Sequence, residues 1–589
     1  MTQPTGVSRR SFLKSVALGA GAATVPAALT GCFGDDDDDD RDLTVFVFGH
    51  GVASGDPLAD AVIIWTRVTP DNADGTEAEV AWVVARDEAM TDVVASGKEY
   101  TDAERDFTVK VDVTGLQPGT TYYYQFAGKD NAASPVGRTQ TLPAGSVDSV
   151  TLAVCSCANY PAGFFNAYRA MAESDVDVVL HLGDYIYEYG SNEYPSPDAQ
   201  GRQPEPVSEI LTLEQYRARY AQYRSDVDLQ AVHASKPFIC VWDDHELAND
   251  AYKNGAQNHN DGEGDFFARR SVAQQAYHEW LPIRTGADRG KIYRSFDFGN
   301  LLSLHMADTR MLARDKPLSY GDFIDGQGNI DINGFSAALA DTSRTLLGAE
   351  QQQHIVGNMI DSSATWQVLG QQVLMGRIMI PIELLSGLGE IQAMLEAGVD
   401  ASAKQAEVAQ LLAELATIKA TDPSNPRVTA VAPYNLDAWD GYFPAREEIL
   451  RRAQLLDKNL VVLAGDTHNA WASELYVADD SGNVQRDQGA VGVEFATSSV
   501  TSPGFETYVG FGDNAQLQAG FEQAVTTLVD DLKFLNAKSR GFMRVEFTHQ
   551  QAKCDWVFID TIASKDYTAT TAKSLKVKPG KGQRRLQEA

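Results

Sequence analysis

The stretch VDVVLHLGDYIYE, residues 176–188, decides how this chain reads. Val176 to Leu182 is mostly apolar, as in a strand buried on both faces, and the run stops abruptly at Gly183. Asp184 follows at once, and Tyr187 lies three residues further on. A Gly-Asp pair alone is a common turn. A carboxylate and a phenol just past a strand end are also two anionic donors. The ends of the other strands decide between these readings.

Three more β-rich runs end in the same way. SVTLAVCSC (149–157) ends at Cys157, PFICVW (237–242) runs into Asp243-Asp244-His245-Glu246, and NLVVLA (459–464) runs into Gly465-Asp466-Thr467-His468. Sites in α/β sheets gather at the carboxyl ends of strands. Taken singly, Asp184 and Asp466 read as turn residues, Cys157 as a small buried hydrophobe, Tyr187 as an edge aromatic and His468 as a core histidine. Taken together, they place ionisable groups at four strand ends, where charge must be paired or bound to metal.

Two metals sharing one carboxylate, about 3.5–4 Å apart, cleave phosphate esters by metal-activated hydroxide attack on phosphorus. Only Asp or Glu offers two oxygens to two ions, and Asp184 is the candidate bridge. A Tyr187 phenolate suits ferric iron, and a Cys157 thiolate suits a transition metal; His468 completes that half. Asp244 and Asp466 would hold a second ion in all-oxygen coordination, which favours calcium.

These blocks resemble a PhoD-type alkaline phosphatase, a branch of the calcineurin-like metallophosphoesterases. Gly183-Asp184-x-x-Tyr187, the Trp-Asp-Asp-His-Glu form ending at Glu246, and Gly465-Asp466-Thr467-His468 carry the likeness. GVASGDP (51–57), WTR (65–67), ADTR (307–310), WQVLGQQV (366–373) and DAWDGY (437–442) extend it over about 42–560. Ser156-Cys157 stands where the superfamily has Asp-x-His. The resemblance implies Fe3+ with one or two Ca2+ (other divalent metals also fit), and hydrolysis of phosphomonoesters or phosphodiesters outside the cytoplasm, releasing phosphate. By the same resemblance, Asn249 binds calcium in addition to Asp244, and His245 contacts phosphate or the leaving oxygen. Arg310 grips phosphate and helps the leaving group, or its neighbourhood makes a structural ion pair with Asp308. A phospholipase D-like calcium-dependent diesterase, or a catalytically silent binding lipoprotein, is the alternative.

The architecture expected is α/β: a metallophosphoesterase two-sheet sandwich flanked by helices over 146–570, preceded by a small all-β, fibronectin-like sandwich over 41–145. Residues 384–420 look like an inserted helical hairpin, and the basic stretch 571–589 like a flexible tail. Residues 1–40 read as a targeting segment. Arg9-Arg10 with Phe12-Leu13-Lys14 resembles a twin-arginine export signal, Leu29-Thr30-Gly31-Cys32 a lipobox acylated at Cys32, and Asp35–Asp40 a solvated spacer. The expected location is therefore the periplasm or cell surface, reached through the twin-arginine translocase and held to the membrane by lipid.

Composition removes other classes. Over 589 residues, Lys+Arg 49 against Asp+Glu 81 gives a net charge of -32, which argues against a nucleic-acid-binding surface. The four cysteines beyond Cys32 are too few for a disulfide scaffold. The serine-rich ATSSVTSPG (496–504) lacks a nucleophile elbow, and no Walker loop is present.

Overall fold

The computed structural model describes residues 46–70, 77–128, 132–194, 201–325, 331–479 and 481–589. The twin-arginine stretch, Cys32 and the aspartate run lie outside them. Among the described residues no helix is long and apolar enough to cross a membrane.

The chain divides into two compact units. Residues 1–141, 224–238 and 279–284 form the first, and 142–223, 239–278 and 285–589 the second. The boundary expected at 145/146 thus falls at 141/142, and two later segments fold with the first unit. One carries the helix Val227–Ser235, which packs on strands Val52–Gly55 and Gly137–Gln140.

Apart from that helix, the first unit is built as a β-sandwich. In Thr108–Thr114 every second side chain is turned inward: Val109, Val111 and Val113 are buried between Lys110 and Asp112. That strand pairs antiparallel with Ala61–Arg67, which pairs with Val52–Gly55. A second antiparallel sheet has the order Val93–Thr101, Ala78–Ala85, Thr121–Gly128, Gly137–Gln140. Val62, Ile64 and Val111 from one sheet meet Val80, Val84 and Phe126 from the other in a common core.

The second unit is the two-sheet sandwich with helices. In its first sheet Ser149–Cys155 pairs parallel with Val178–His181 and antiparallel with Arg540–Thr548. The second sheet runs Arg294–Phe298, Leu302–Met306, Trp366–Gly370, Leu460–Ala464, Gly492–Ala496, Ala470–Leu475, Leu532–Asn536. Its four consecutive parallel strands, from Leu302–Met306 to Gly492–Ala496, are buried at every position, as strands covered on both faces must be. The two sheets meet through Trp366 against Phe547 and Phe495 against Trp556. The Trp556 indole donates to the Ala496 carbonyl at 3.0 Å, so the large ring is buried without an orphaned donor.

Helices Gly348–Asp361 and Phe443–Leu455 add Ile355, Met359, Ile449 and Leu450 to the core. The insertion is the expected hairpin, Ile382–Glu396 followed by Ser402–Thr421. Its helices touch where Gly387 has no side chain; a Cβ there would lie 2.7 Å from Val408 Cγ2.

The basic end of the chain is not the expected flexible tail. Ala569–Val577 pairs antiparallel with Ala552–Ile559, and Gln587–Glu588 pairs back onto it. Leu575 and Val577 are buried, and Arg584 donates to Asn459 Oδ1 at 3.0 Å and Asp457 Oδ1 at 2.6 Å. The strand's lysines are half-buried, Lys573 pairing with Glu588 at 2.5 Å and Lys576 lying opposite Gln587. Their charge misdirected the sequence reading.

Candidate metal centre

Four turns at strand ends build the site. Ser149–Cys155 leads to Cys157, Val178–His181 to Asp184, Pro237–Cys240 to Asp244, and Leu460–Ala464 to Asp466 and His468. Backbone hydrogen bonds lock the first two turns together, Cys157 N to the Gly183 carbonyl at 3.1 Å and Ala158 N to the Asp184 carbonyl at 2.9 Å. Gly183 has φ 107°, and a Cβ there would sit 2.3 Å from Asp243 Cβ, so only glycine lets the second and third turns stack. Cys157, Asp184, Asp466 and His468 all have φ between 54° and 65°. Aspartate and histidine tolerate that left-handed region better than most; cysteine rarely adopts it, and such strain gathers where geometry serves a site.

Three groups of ligand atoms result, the members of each within 4.8 Å of one another: Cys157, Asp184 and His468; Asp184, Asp244 and His245; Asp243, Asp244 and Asp466. Asp184 belongs to the first two. Tyr187 joins the first, its hydroxyl 3.0 Å from Asp184 Oδ2 and 3.2 Å from His468 Nε2. The His468 Nδ1–H donates to the Pro503 carbonyl at 2.7 Å, which turns Nε2 into the site as a lone-pair donor. Burial, above all, holds His468 neutral, with its pKa lowered to about 3.

The donor set fits metal. Cys157, Asp184 and Tyr187 are buried, and burial raises each well above its ordinary pKa, with repulsion from Asp184 adding to it at Cys157 and Tyr187, and the pull of His245 opposing it at Asp184. Asp466 is raised to about 7 by burial, against the pull of Arg310. A cluster this acidic keeps its protons unless cations replace them. Buried Asp243 Oδ2 and Asp244 Oδ1 have no hydrogen-bond partner among the described residues, as expected of oxygens reserved for an ion. Thiol, phenol and imidazole on one side of Asp184 and carboxylates on the other match a transition metal beside a hard cation.

Around these groups lies a supporting layer. The Glu246 carboxylate accepts from the backbone N–H of Asp184 at 3.0 Å and Asp243 at 2.7 Å, clamping two turns. Glu188 Oε2 meets His245 Nδ1 at 2.6 Å, while its Oε1 accepts from Asn249 N and Asn258 Nδ2, both at 2.8 Å. Although burial opposes a charged ring, Glu188 and Asp184 hold the His245 pKa well above its ordinary value. Tyr187 stacks on the His245 ring with centroids 4.3 Å apart. Ser502 Oγ lies 2.6 Å from the Tyr187 hydroxyl.

Arg310 does not present its fork to the cavity. It is fully buried, its Nε bonds Asp243, and Nη1 and Nη2 reach Asp437 and Asp466, both at 2.6 Å. Asp244 Oδ1 is 3.6 Å away. Burial would raise the Asp244 pKa, but Arg310 and then His245 hold it down to about 2. The geometry is that of a structural ion pair, but not the one expected with Asp308, whose Oδ1 meets Arg310 only through its backbone N–H, at 2.8 Å; the guanidinium pairs instead with Asp243, Asp437 and Asp466. Asp184, Asp244, His245, Asn249, Asp466 and His468 all line a cavity of about 220 Å3 above the centre.

Sequence reasoning missed Glu188, Asp437, Asp250 and Ser502. Glu188 follows Tyr187 directly and Asp437 opens DAWDGY, so both lay within stretches already singled out. Neither has a spacing that announces a ligand.

Known proteins resemble this one along most of its length. The profile of the PhoD-like phosphatase family matches residues 152–556, and that of the PhoD-like phosphatase N-terminal domain matches 36–143. Alkaline phosphatase D of Bacillus subtilis (strain 168) is 35% identical over 525 residues, covering 87% of this chain and 77% of the relative. A solved structure of PhoD superposes with TM-score 0.73 at 31% identity, covering 93% of each chain.

Proposed function

Because the chain belongs to the PhoD-like phosphatase family and is a phosphoesterase, we propose that the centre around Asp184 hydrolyses phosphomonoesters and phosphodiesters with iron and calcium bound. The observation that carries this is the position of Asp184, shared between a thiol-phenol-imidazole group and a carboxylate group. Cys157, Asp184, Tyr187 and His468 would hold Fe3+, and Asp184, Asp244, Asp466 and Asn249 would hold Ca2+. When bound, the metals supply Lewis acidity toward the phosphate oxygens and the attacking water.

The chain's own residues do the rest. One P–O ester bond breaks, the water oxygen joins phosphorus, and a proton passes to the departing oxygen. With Nδ1 committed to Glu188, His245 meets substrate through Nε2–H and donates that proton. Arg310 holds Asp244 and Asp466 in place and leaves phosphate to the cavity groups. Glu246 and Gly183 keep the turns in register, so the donors are set before substrate arrives.

The same reading makes the protein an exported one. The twin-arginine stretch would carry it through the translocase already folded, and acylated Cys32 would tether it in the periplasm or at the cell surface. Elemental analysis of the purified protein, with mono- and diester assays, tests the catalytic reading. Iron and calcium that vanish together with hydrolysis on chelation are expected; full activity without metal would overturn it. Cys32→Ala is expected to release the protein from membranes, and persistent attachment would remove the anchor.

A further inference from the structure

Beyond His245, whose ring serves the scissile phosphate, the wall of the cavity is aromatic. Tyr194, Tyr434, Phe505 and Tyr508 line it, with Asn469 and Thr467 as uncharged polar neighbours, and no lysine or arginine joins them among the described residues. The cations near it are committed elsewhere. Arg310 and Arg314 are fully buried and bound to aspartates. Arg540 is taken by Glu506 and by the carbonyls of Thr501 and Lys538.

Asn469 adds an independent sign of a ligand. It is 2% exposed, and its Nδ2 meets no acceptor among the described residues. A buried amide donor without a partner is costly, and a ligand oxygen in the cavity would satisfy it.

The aromatic wall is held firmly. Phe505 packs against Tyr434, Trp471 and Phe521, with ring centroids 5.7, 5.8 and 5.3 Å apart. Gln405, on the second helix of the insertion, donates to the Tyr508 carbonyl at 2.9 Å. The insertion therefore supports the rim of the site.

We propose that this cavity selects phosphodiesters that bear one negative charge and a flat, uncharged substituent, with Asn469 as a neutral donor to the substrate. The proposal rests on the phosphoesterase reading of the same centre and names its substrate class. The rings offer faces on which an aryl group or nucleobase stacks. The charge of the scissile phosphate is answered at the metal centre. With His245 engaged by the scissile phosphate, a second anionic group would meet Asp250, Asp466 and aromatic faces with no further cation to pair with, and an unpaired anion in such a place is strongly disfavoured.

The test uses the metal-replete full chain and two substrates with the same leaving group, thymidine 5′-(4-nitrophenyl phosphate) and its 3′-phosphorylated derivative. The second is expected to have a kcat/KM at least about tenfold lower, expressed mainly in KM. Tyr508→Lys, at a position 40% exposed, is expected to narrow that gap. Asn469→Ala is expected to lower kcat/KM for the first substrate about tenfold. It should also weaken binding of methyl(phenyl)phosphinate, a monoanion with no ester bond to cleave, measured by isothermal titration. Equal kcat/KM for the two thymidine substrates, or unchanged phosphinate binding in Asn469→Ala, overturns the proposal while leaving the phosphoesterase reading intact. If the wild type cleaves neither these diesters nor 4-nitrophenyl phosphate, the phosphoesterase reading falls, and this proposal with it.

Discussion

The Glu188 carboxylate stands 2.6 Å from Nδ1 of His245, and both side chains are buried. This pair fixes which ring nitrogen faces the substrate and favours the charged ring. Glu188→Gln keeps the shape and removes the charge. It is expected to lower kcat/KM on the order of 10²-fold, the size of a general-acid contribution. Steady-state kinetics on a 4-nitrophenyl ester check this, and an unchanged kcat would deny His245 the role.

The same pair predicts how the metal-stripped protein responds to pH. The folded pKa of Glu188 is lowered despite burial, chiefly by His245, and that of His245 is raised, chiefly by Glu188. Stability from the histidine is complete below its ordinary value near 6.5 and is lost as pH rises through its higher folded value. Stability from the carboxylate is complete above its ordinary value near 4.5 and is lost as pH falls through its lower folded value. Urea midpoints of chelated protein across pH should show this window, and Glu188→Gln should flatten it.

Asp184→Ala removes the carboxylate common to both ligand groups. Hydrolysis and bound metal should disappear together, as measured by elemental analysis beside the ester assay. Retained activity would refute a shared bridge.

Tyr187→Phe deletes a hydroxyl 3.0 Å from Asp184 and 3.2 Å from His468. A visible phenolate-to-iron absorption band in the wild type should vanish in the variant. An unchanged band would assign the colour to another group.

Arg310→Met leaves Asp243, Asp437 and Asp466 without the guanidinium that joins them. Breaking a buried pair of this kind costs about 3–5 kcal/mol. Denaturant titration should show that loss, and Arg310→Lys should restore little, because a point charge cannot span three carboxylates.

Removing residues 569–589 strips the strand that covers Ala552–Ile559. Burial of Leu575 and Val577 alone is worth roughly 3–6 kcal/mol. A lower thermal midpoint and increased light scattering from the bared edge are expected.

Strand-ending signals carried most of this site into view before any coordinates. Apolar runs broken by Gly-Asp, Asp-Asp-His and Gly-Asp-Thr-His mark where a parallel sheet releases its chain, and the ligands sit at those breaks. The helical hairpin was equally plain, because its apolar spacing is local. Arg310 was harder: a guanidinium binds phosphate or aspartate equally well, and only tertiary contacts reveal which. Glu188 matters through the direction in which its side chain points, toward His245, which no spacing encodes. The C-terminal strand was hidden for another reason. Its lysines make the stretch look solvated while Leu575 and Val577 fill a buried face, and composition averages the two.

The order of the donors along the chain bears on how the protein is made. Cys157 comes early, His468 late, and Ser502, which holds Tyr187 from above, later still. A ribosome that has released only the first donors has produced half a cage, with thiol and carboxylate open to any stray copper or zinc. Loading of the proposed metals would therefore wait until synthesis is nearly finished.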